Sequence, residues 1–202
     1  MPPEIKIINT GVANIRSLQA AFDRIGAPWA LTEDAATIET ASHVVLPGVG
    51  AFAAAASSLD RLQLRDAIRT RLEQSDKATL CICLGLQLLC DESEESPGVS
   101  GLGILDAKIE RFSDNVAVPQ LGWNAVVPHD SCGEKKFETG EAYFANSFRL
   151  ATPPAGWDYA TTDYDGGFIS SVWRGKTLAC QFHPELSGKW GQTLLRGWYE
   201  NA

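Results

Sequence analysis

The sequence has no uninterrupted apolar run of about 18 residues, the length that a helix needs to cross a bilayer, so no membrane span is expected. It opens with Pro2, Pro3 and Glu4 and carries no basic segment followed by an apolar one, so no secretory signal is expected and the expected location is cytoplasmic. Positive charge is scarce: 17 Lys and Arg against 25 Asp and Glu leave a net charge of -8. That balance argues against general affinity for nucleic acid or an anionic membrane surface and points to a small molecule or a protein as partner. The five cysteines, Cys81, Cys83, Cys90, Cys132 and Cys180, are odd in number and three of them crowd one stretch, which is not a disulfide framework. His43, His129 and His183 show no metal-type spacing to them, so neither a metal nor a cofactor is expected. Ser/Gly linkers, repeats and low-complexity tracts are missing too. At 202 residues the expectation is one domain, 1–202, with a full hydrophobic core.

What is there alternates. Residues 4–8 (EIKII) read as a strand, and Ile15, Leu18, Ala21, Phe22 and Ile25 then recur at three- and four-residue spacing, with Gly26 as a C-cap. Strands follow at 28–32 and 43–46, and helices at 53–59 and 62–72. This β-α-β beginning predicts an α/β fold with an open, mainly parallel sheet flanked by helices, and a ligand crevice at the carboxyl ends of its strands. From about Ile104 the runs become shorter and alternate, which predicts an appended, smaller antiparallel sheet.

The stretch 79–95 (TLCICLGLQLLCDESEE) changes period in its middle. Residues 79–83 suit a strand buried on both faces, whereas Leu84, Gln87, Leu88 and Asp91 fall at helical spacing. Cys83 therefore sits on a strand-to-helix turn, with Gly85 allowing close backbone approach, as in a nucleophile elbow. A thiol at a helix N-terminus is favoured as thiolate. The usual elbow carries a glycine where Cys81 stands. Asp91, Glu92, Glu94 and Glu95 read as a solvated helix face.

Two other strand ends complement this thiol. After the third strand, Pro47-Gly48-Val49-Gly50 can turn backbone N–H groups toward a ligand and so furnish an oxyanion-hole donor. After the strand 178–182 (LACQF), His183-Pro184-Glu185 presents an imidazole and a carboxylate on one side of an extended chain. Each pattern alone also fits an ordinary structural role: buried thiols, a tight turn, a loop histidine. Together they match nucleophile, base and orienter in acyl transfer.

Pro47-Gly48-Val49-Gly50, Cys83-Leu84-Gly85-Leu86-Gln87 and His183-Pro184-Glu185 resemble the class I, triad-type glutamine amidotransferases. Within them, Asn9-Thr10-Gly11, the run 46–52 (LPGVGAF), Ser93-Glu94-Glu95, Gly122-Trp123-Asn124, Tyr143-Phe144 with Ser147, and Gln181 to Glu185 followed by Ser187-Gly188 are similar to the glutaminase subunits of imidazole glycerol phosphate synthase. The resemblance implies hydrolysis of L-glutamine through a Cys83 thioester, with His183 and Glu185 completing the triad. It implies Val49, Gly50 and Leu84 as oxyanion hole, and Gly48, Gly50, Gln87, Asn146, Ser147 and Phe148 as substrate contacts. It also implies a heterodimer with a (β/α)8-barrel cyclase subunit that receives the ammonia, and a Pro47–Gly50 turn that rearranges when that partner is engaged. A glutaminase serving another synthase is the nearest alternative. Three positions depart from the family pattern: Cys81, Asn146 where histidine is common, and Leu186 where Lys or Arg is usual.

Overall fold

The computed structural model describes residues 2–11, 14–74, 76–130, 133 and 136–201, so Cys132 lies outside the described residues. The first half runs β1 (Ile5–Ile8), α1 (Ile15–Ile25), β2 (Trp29–Thr32), α2 (Ala35–Thr40), β3 (His43–Gly48), α3 (Phe52–Arg61), α4 (Arg65–Gln74), β4 (Ala78–Cys83) and α5 (Leu84–Gln87). The second half runs β5 (Cys90–Ser93), β6 (Leu105–Arg111), β7 (Gln120–Pro128), β8 (Gly140–Asn146), β9 (Phe148–Leu150), β10 (Asp158–Asp163), β11 (Gly167–Arg174) and β12 (Thr177–Cys180). A 3-10 turn (Pro184–Leu186) and α6 (Gly188–Glu200) close the chain.

Strands β2, β1, β3, β4 and β12 lie side by side and all run parallel. Every residue of β3, β4 and β12 is buried, as befits strands covered on both faces. The pleat sorts their side chains. Val44, Leu46 and Cys81 join α2, α3 and α4 on one face, while Val45, Leu80 and Ile82 join α1 and α6 on the other. The antiparallel strands are not a separate layer. β11 pairs with β12, and β10, β7 and β8 continue outward in that order, so the parallel half grows directly into an antiparallel wing.

The helix expected after Cys83 is a single turn. Leu102 N–H donates to Leu88 O at 2.7 Å, Leu105 N–H to Leu89 O at 2.9 Å, and Gly101 N–H to Asp91 O at 2.8 Å. Those carbonyls are thus taken by the segment 101–105 that leads into β6 instead of by donors four residues on, and the chain leaves α5 as β5, paired with β6. A side chain at position 101 would put its Cβ 2.0 Å from Cys90 O, so this crossing requires glycine. In consequence Asp91, Glu92, Glu94 and Glu95 lie on a strand and the turn after it, not on a helix face.

Arg71, 1% exposed on α4, ties the sheet to its helices. It donates to Ile38 O (2.9 Å), Ala41 O (2.6 Å), Ser42 O (3.1 Å), Ala78 O (2.6 Å) and Thr79 Oγ1 (2.9 Å), joining the end of α2 to the starts of β3 and β4. Arg71→Leu strands these buried acceptors, and a loss of about 3 kcal/mol is expected. In thermal unfolding this lowers the melting temperature by roughly 10 °C for a chain of this size; an unchanged melting temperature contradicts the clamp.

Candidate active site

Three sequence motifs meet because their strands are neighbours. In the parallel register Gly48 at the end of β3 lies beside Cys83 at the end of β4, and Cys180 on β12 lies beside Ile82. The carboxyl ends of β3, β4 and β12 therefore form one short edge.

At Cys83 the backbone is left-handed, with φ 55° and ψ -109°. A non-glycine residue holds that conformation only where its surroundings over-determine it. Here they do. A Cβ at Gly85 would fall 2.1 Å from Leu46 O, and one at Gly48 would fall 2.8 Å from Leu84 Cβ. The glycines that the elbow needs are thus these two, which let β3 and the turn touch. Cys81, in the position of the usual first elbow glycine, is an ordinary strand residue, fully buried and paired in register with Leu46 and Ala179. Burial pushes its thiol up to about 12, against a weaker pull from Arg71, so it packs and does not ionise.

His183 and Glu185 are each 7% exposed, with His183 Nδ1 2.8 Å from Glu185 Oε1. Burial depresses the imidazole's proton affinity, but hydrogen bonds to Cys83 and to Glu185 outweigh it and raise the His183 pKa to about 10. With Nδ1 held by the carboxylate, the other ring nitrogen is the one left for a further partner. The turn itself is pinned from three sides. His183 N–H donates to Tyr143 O at 2.9 Å, and Ser187 Oγ donates to His183 O at 2.6 Å while accepting from Tyr143 N–H at 3.0 Å. Arg24 Nη2 of α1 reaches Glu185 O at 3.4 Å.

Cys83 and His183 open into a pocket of about 250 Å³. Val49, Gly50, Leu84, Gln87, Asn146, Ser147 and Phe148 line it with them. Gly50 has φ 94°, a backbone conformation that favours glycine. Gly48 is not in the wall; it packs beneath, against Leu84. Asn146 Nδ2 donates to Phe148 O at 3.0 Å, leaving Oδ1 buried with no partner among the described residues.

Two residues at this site stood in quoted motifs but were given no role at the site. Glu95 lines the pocket and its Oε2 accepts the Phe52 N–H at 2.7 Å, while Ser96 Oγ accepts the Ala53 N–H at 3.2 Å. Ala51, the N-cap of α3, has no side-chain acceptor, so a remote cap was required, and that need is the signal which points to Glu95. The second is Gln181, whose Nε2 lies 3.5 Å from Cys83 Sγ.

A family model described as glutamine amidotransferase class-I matches residues 7–201. The chain is 37% identical over 199 residues to the imidazole glycerol phosphate synthase subunit HisH of Herpetosiphon aurantiacus, covering 98% of this chain and 94% of that one. It is 39% identical over 197 residues to the protein of the same name from Methanothermobacter thermautotrophicus, covering 97% and 98%. Among solved structures, one described as a glutamine amidotransferase shares the fold with a TM-score of 0.75 at 19% identity, covering 96% of this chain and 98% of that one.

Glu185→Gln removes the ionic partner of His183, and its NMR titration is expected to fall from about 10 toward the ordinary histidine value of about 6.5. Because the folded-state pKa is raised, the pairing stabilises the native state fully below about 6.5, and its contribution fades as the pH climbs through the folded value. A His183 titration unchanged in the variant contradicts the pairing.

Proposed function

Since the chain belongs to the class I glutamine amidotransferases, we propose that it is the glutaminase subunit of an imidazole glycerol phosphate synthase, a cytoplasmic enzyme. It hydrolyses L-glutamine and passes the ammonia to a (β/α)8-barrel cyclase subunit in a heterodimer. The observation that carries this reading is that Cys83, at positive φ on its strand-to-helix turn, shares one pocket with His183, whose Nδ1 is 2.8 Å from Glu185 Oε1.

In the first half-reaction the Cys83 sulfur attacks the side-chain amide carbon of glutamine, and the carbonyl electrons move onto oxygen. The N–H of Leu84 and one from Val49 or Gly50 meet that oxyanion; each such donor is worth about 3 kcal/mol of barrier. The C–N bond then breaks as His183 gives its proton to the departing nitrogen, leaving a γ-glutamyl thioester and ammonia. In the second half His183 takes a proton from water, the oxygen attacks the thioester, and Cys83 leaves as glutamate is released. Glu185 holds the imidazole in register throughout and balances its cationic form. Glu95 and the unpartnered Asn146 Oδ1 offer acceptors on the pocket wall for the substrate's ammonium group.

Leu121 (66% exposed), Trp123 (53%) and Val127 line the outward face of β7, and Leu186 (40%) is exposed one residue past Glu185. Trp123 lies 3.8 Å from the position of a Cβ on Gly188, so the strip runs up to the triad turn. Apolar surface of this kind fits a subunit contact, and we assign it to the cyclase, with Leu186 making an apolar contact in place of the family's usual basic residue.

Ammonia release from glutamine separates the alternatives, measured for this protein alone and with a cyclase subunit and its nucleotide ligand. Low activity alone, strong stimulation by both additions, silence in Cys83→Ala and loss of stimulation in Trp123→Ala are expected. High unassisted turnover contradicts a coupled subunit; a failure of the cyclase to stimulate assigns the chain to another synthase.

A further inference from the structure

Gln181 is the first residue beyond β12, is fully buried, and has no part in the scheme above. Its backbone N–H donates to Ser170 O at 2.8 Å, which anchors it to β11. Because Cys180 lies beside Ile82 in the parallel register, the next residue along β12's path comes alongside Cys83. Gln181 Nε2 donates to Cys83 Sγ at 3.5 Å, and Gln181 Oε1 accepts from Gln87 Nε2 at 2.9 Å. A primary amide donates at one end and accepts at the other. With Gln87 occupying the oxygen, the NH₂ end is turned to the sulfur. Gln87 is itself steadied by Phe148 O at 3.4 Å, which Asn146 Nδ2 also reaches. A relay of amides thus leads from the pocket wall to the nucleophile, and a donor aimed at a buried sulfur favours thiolate over thiol.

We propose that Gln181 is a further catalytic residue: its side-chain N–H stabilises the Cys83 thiolate both as attacking nucleophile and as leaving group, and Gln87 keeps that N–H aimed at the sulfur. The proposal rests on reading Cys83 as the nucleophile. One extension of one strand then supplies donor and base together, since Gln181 and His183 are two residues apart and face the same side. Gln87 has a double duty, at the pocket wall and as the orienter of Gln181, so a substrate that engages it also touches the sulfur's environment.

The test is the pH dependence of Cys83 alkylation by iodoacetamide in the intact protein, followed on the Cys83 peptide by mass spectrometry. The thiolate forms the S–C bond and iodide departs. The other groups facing Cys83 are His183 with Glu185 behind it, Cys180, and Glu95 across the pocket, and none is altered in the variants. Gln181→Met removes donor and acceptor, and its half-maximal alkylation is expected about one pH unit higher, a tenfold loss of thiolate at a given pH. Gln181→Glu keeps an acceptor for Gln87 but removes the donor, and a shift at least as large is expected. Gln87→Met, which leaves the contact but frees the amide to rotate, is expected to shift in the same direction by less. In the presence of the cyclase, Gln181→Glu, which keeps the acceptor that holds Gln87, is expected to lose kcat at least about tenfold with KM for glutamine unchanged, as removal of an interaction specific to the reacting thiol requires. An unmoved midpoint in Gln181→Met overturns the proposal. If that variant does not fold, an unmoved midpoint in Gln87→Met overturns it and an upward shift sustains it. Iodoacetamide does not require glutamine binding, so shifted alkylation without any glutamine turnover contradicts the glutaminase reading and leaves this contact standing.

Discussion

Where β3 ends and β4 turns, two backbones lie closer than any side chain permits. Gly85 faces Leu46 O and Gly48 faces Leu84, with room in neither place for a Cβ. This contact forces Cys83 into its left-handed conformation and so lifts the sulfur out of the sheet edge toward the pocket. It also brings the Val49–Gly50 turn to the mouth of the same pocket. The Cys83 thiol and the Val49–Gly50 turn are placed by one close approach, which is why both glycines matter more than the residue at position 81.

The remaining parts are held by polar contacts. Ser187 bridges His183 and Tyr143, Arg24 reaches the backbone of Glu185, and Glu95 with Ser96 caps α3 at the edge of the pocket. Each satisfies a buried backbone group while fixing a side chain or turn at the site. Structural satisfaction and functional placement are here the same hydrogen bonds. The same economy applies to Gln181, whose amide can satisfy Gln87 only by turning its N–H to the sulfur.

The parallel half of the sheet was legible because strand and helix periods differ and alternate cleanly along residues 4–83. The meeting of the motifs at Gly48, Cys83 and His183 was legible for a further reason: they follow β3, β4 and β12, which are adjacent in a parallel sheet, so their ends coincide without fine geometry. The helix after Cys83 was overestimated because Leu86, Leu88, Leu89 and Cys90 are all buried, and a stretch apolar on every side has no period to read. The carbonyls that ended it are claimed by residues 101–105, a long-range event with no local signature. Glu95 was misread as a consequence, since its role depends on where that turn lands. Gln181 was quoted in a motif but given no role, because a glutamine beside a strand end looks the same whether its amide meets solvent or sulfur.

The central claim is that the Cys83 sulfur, activated by His183 and Glu185 at the edge formed by β3, β4 and β12, forms an acyl bond with its substrate. Acid quenching of the protein turning over glutamine with its cyclase partner, followed by mass analysis of the Cys83 peptide, tests it directly. A glutamyl adduct on Cys83, lost in Cys83→Ala and not formed in His183→Asn, which lacks the proton donor for the departing nitrogen, is the predicted result. Turnover with no adduct on Cys83, or with the adduct on another residue, contradicts the account.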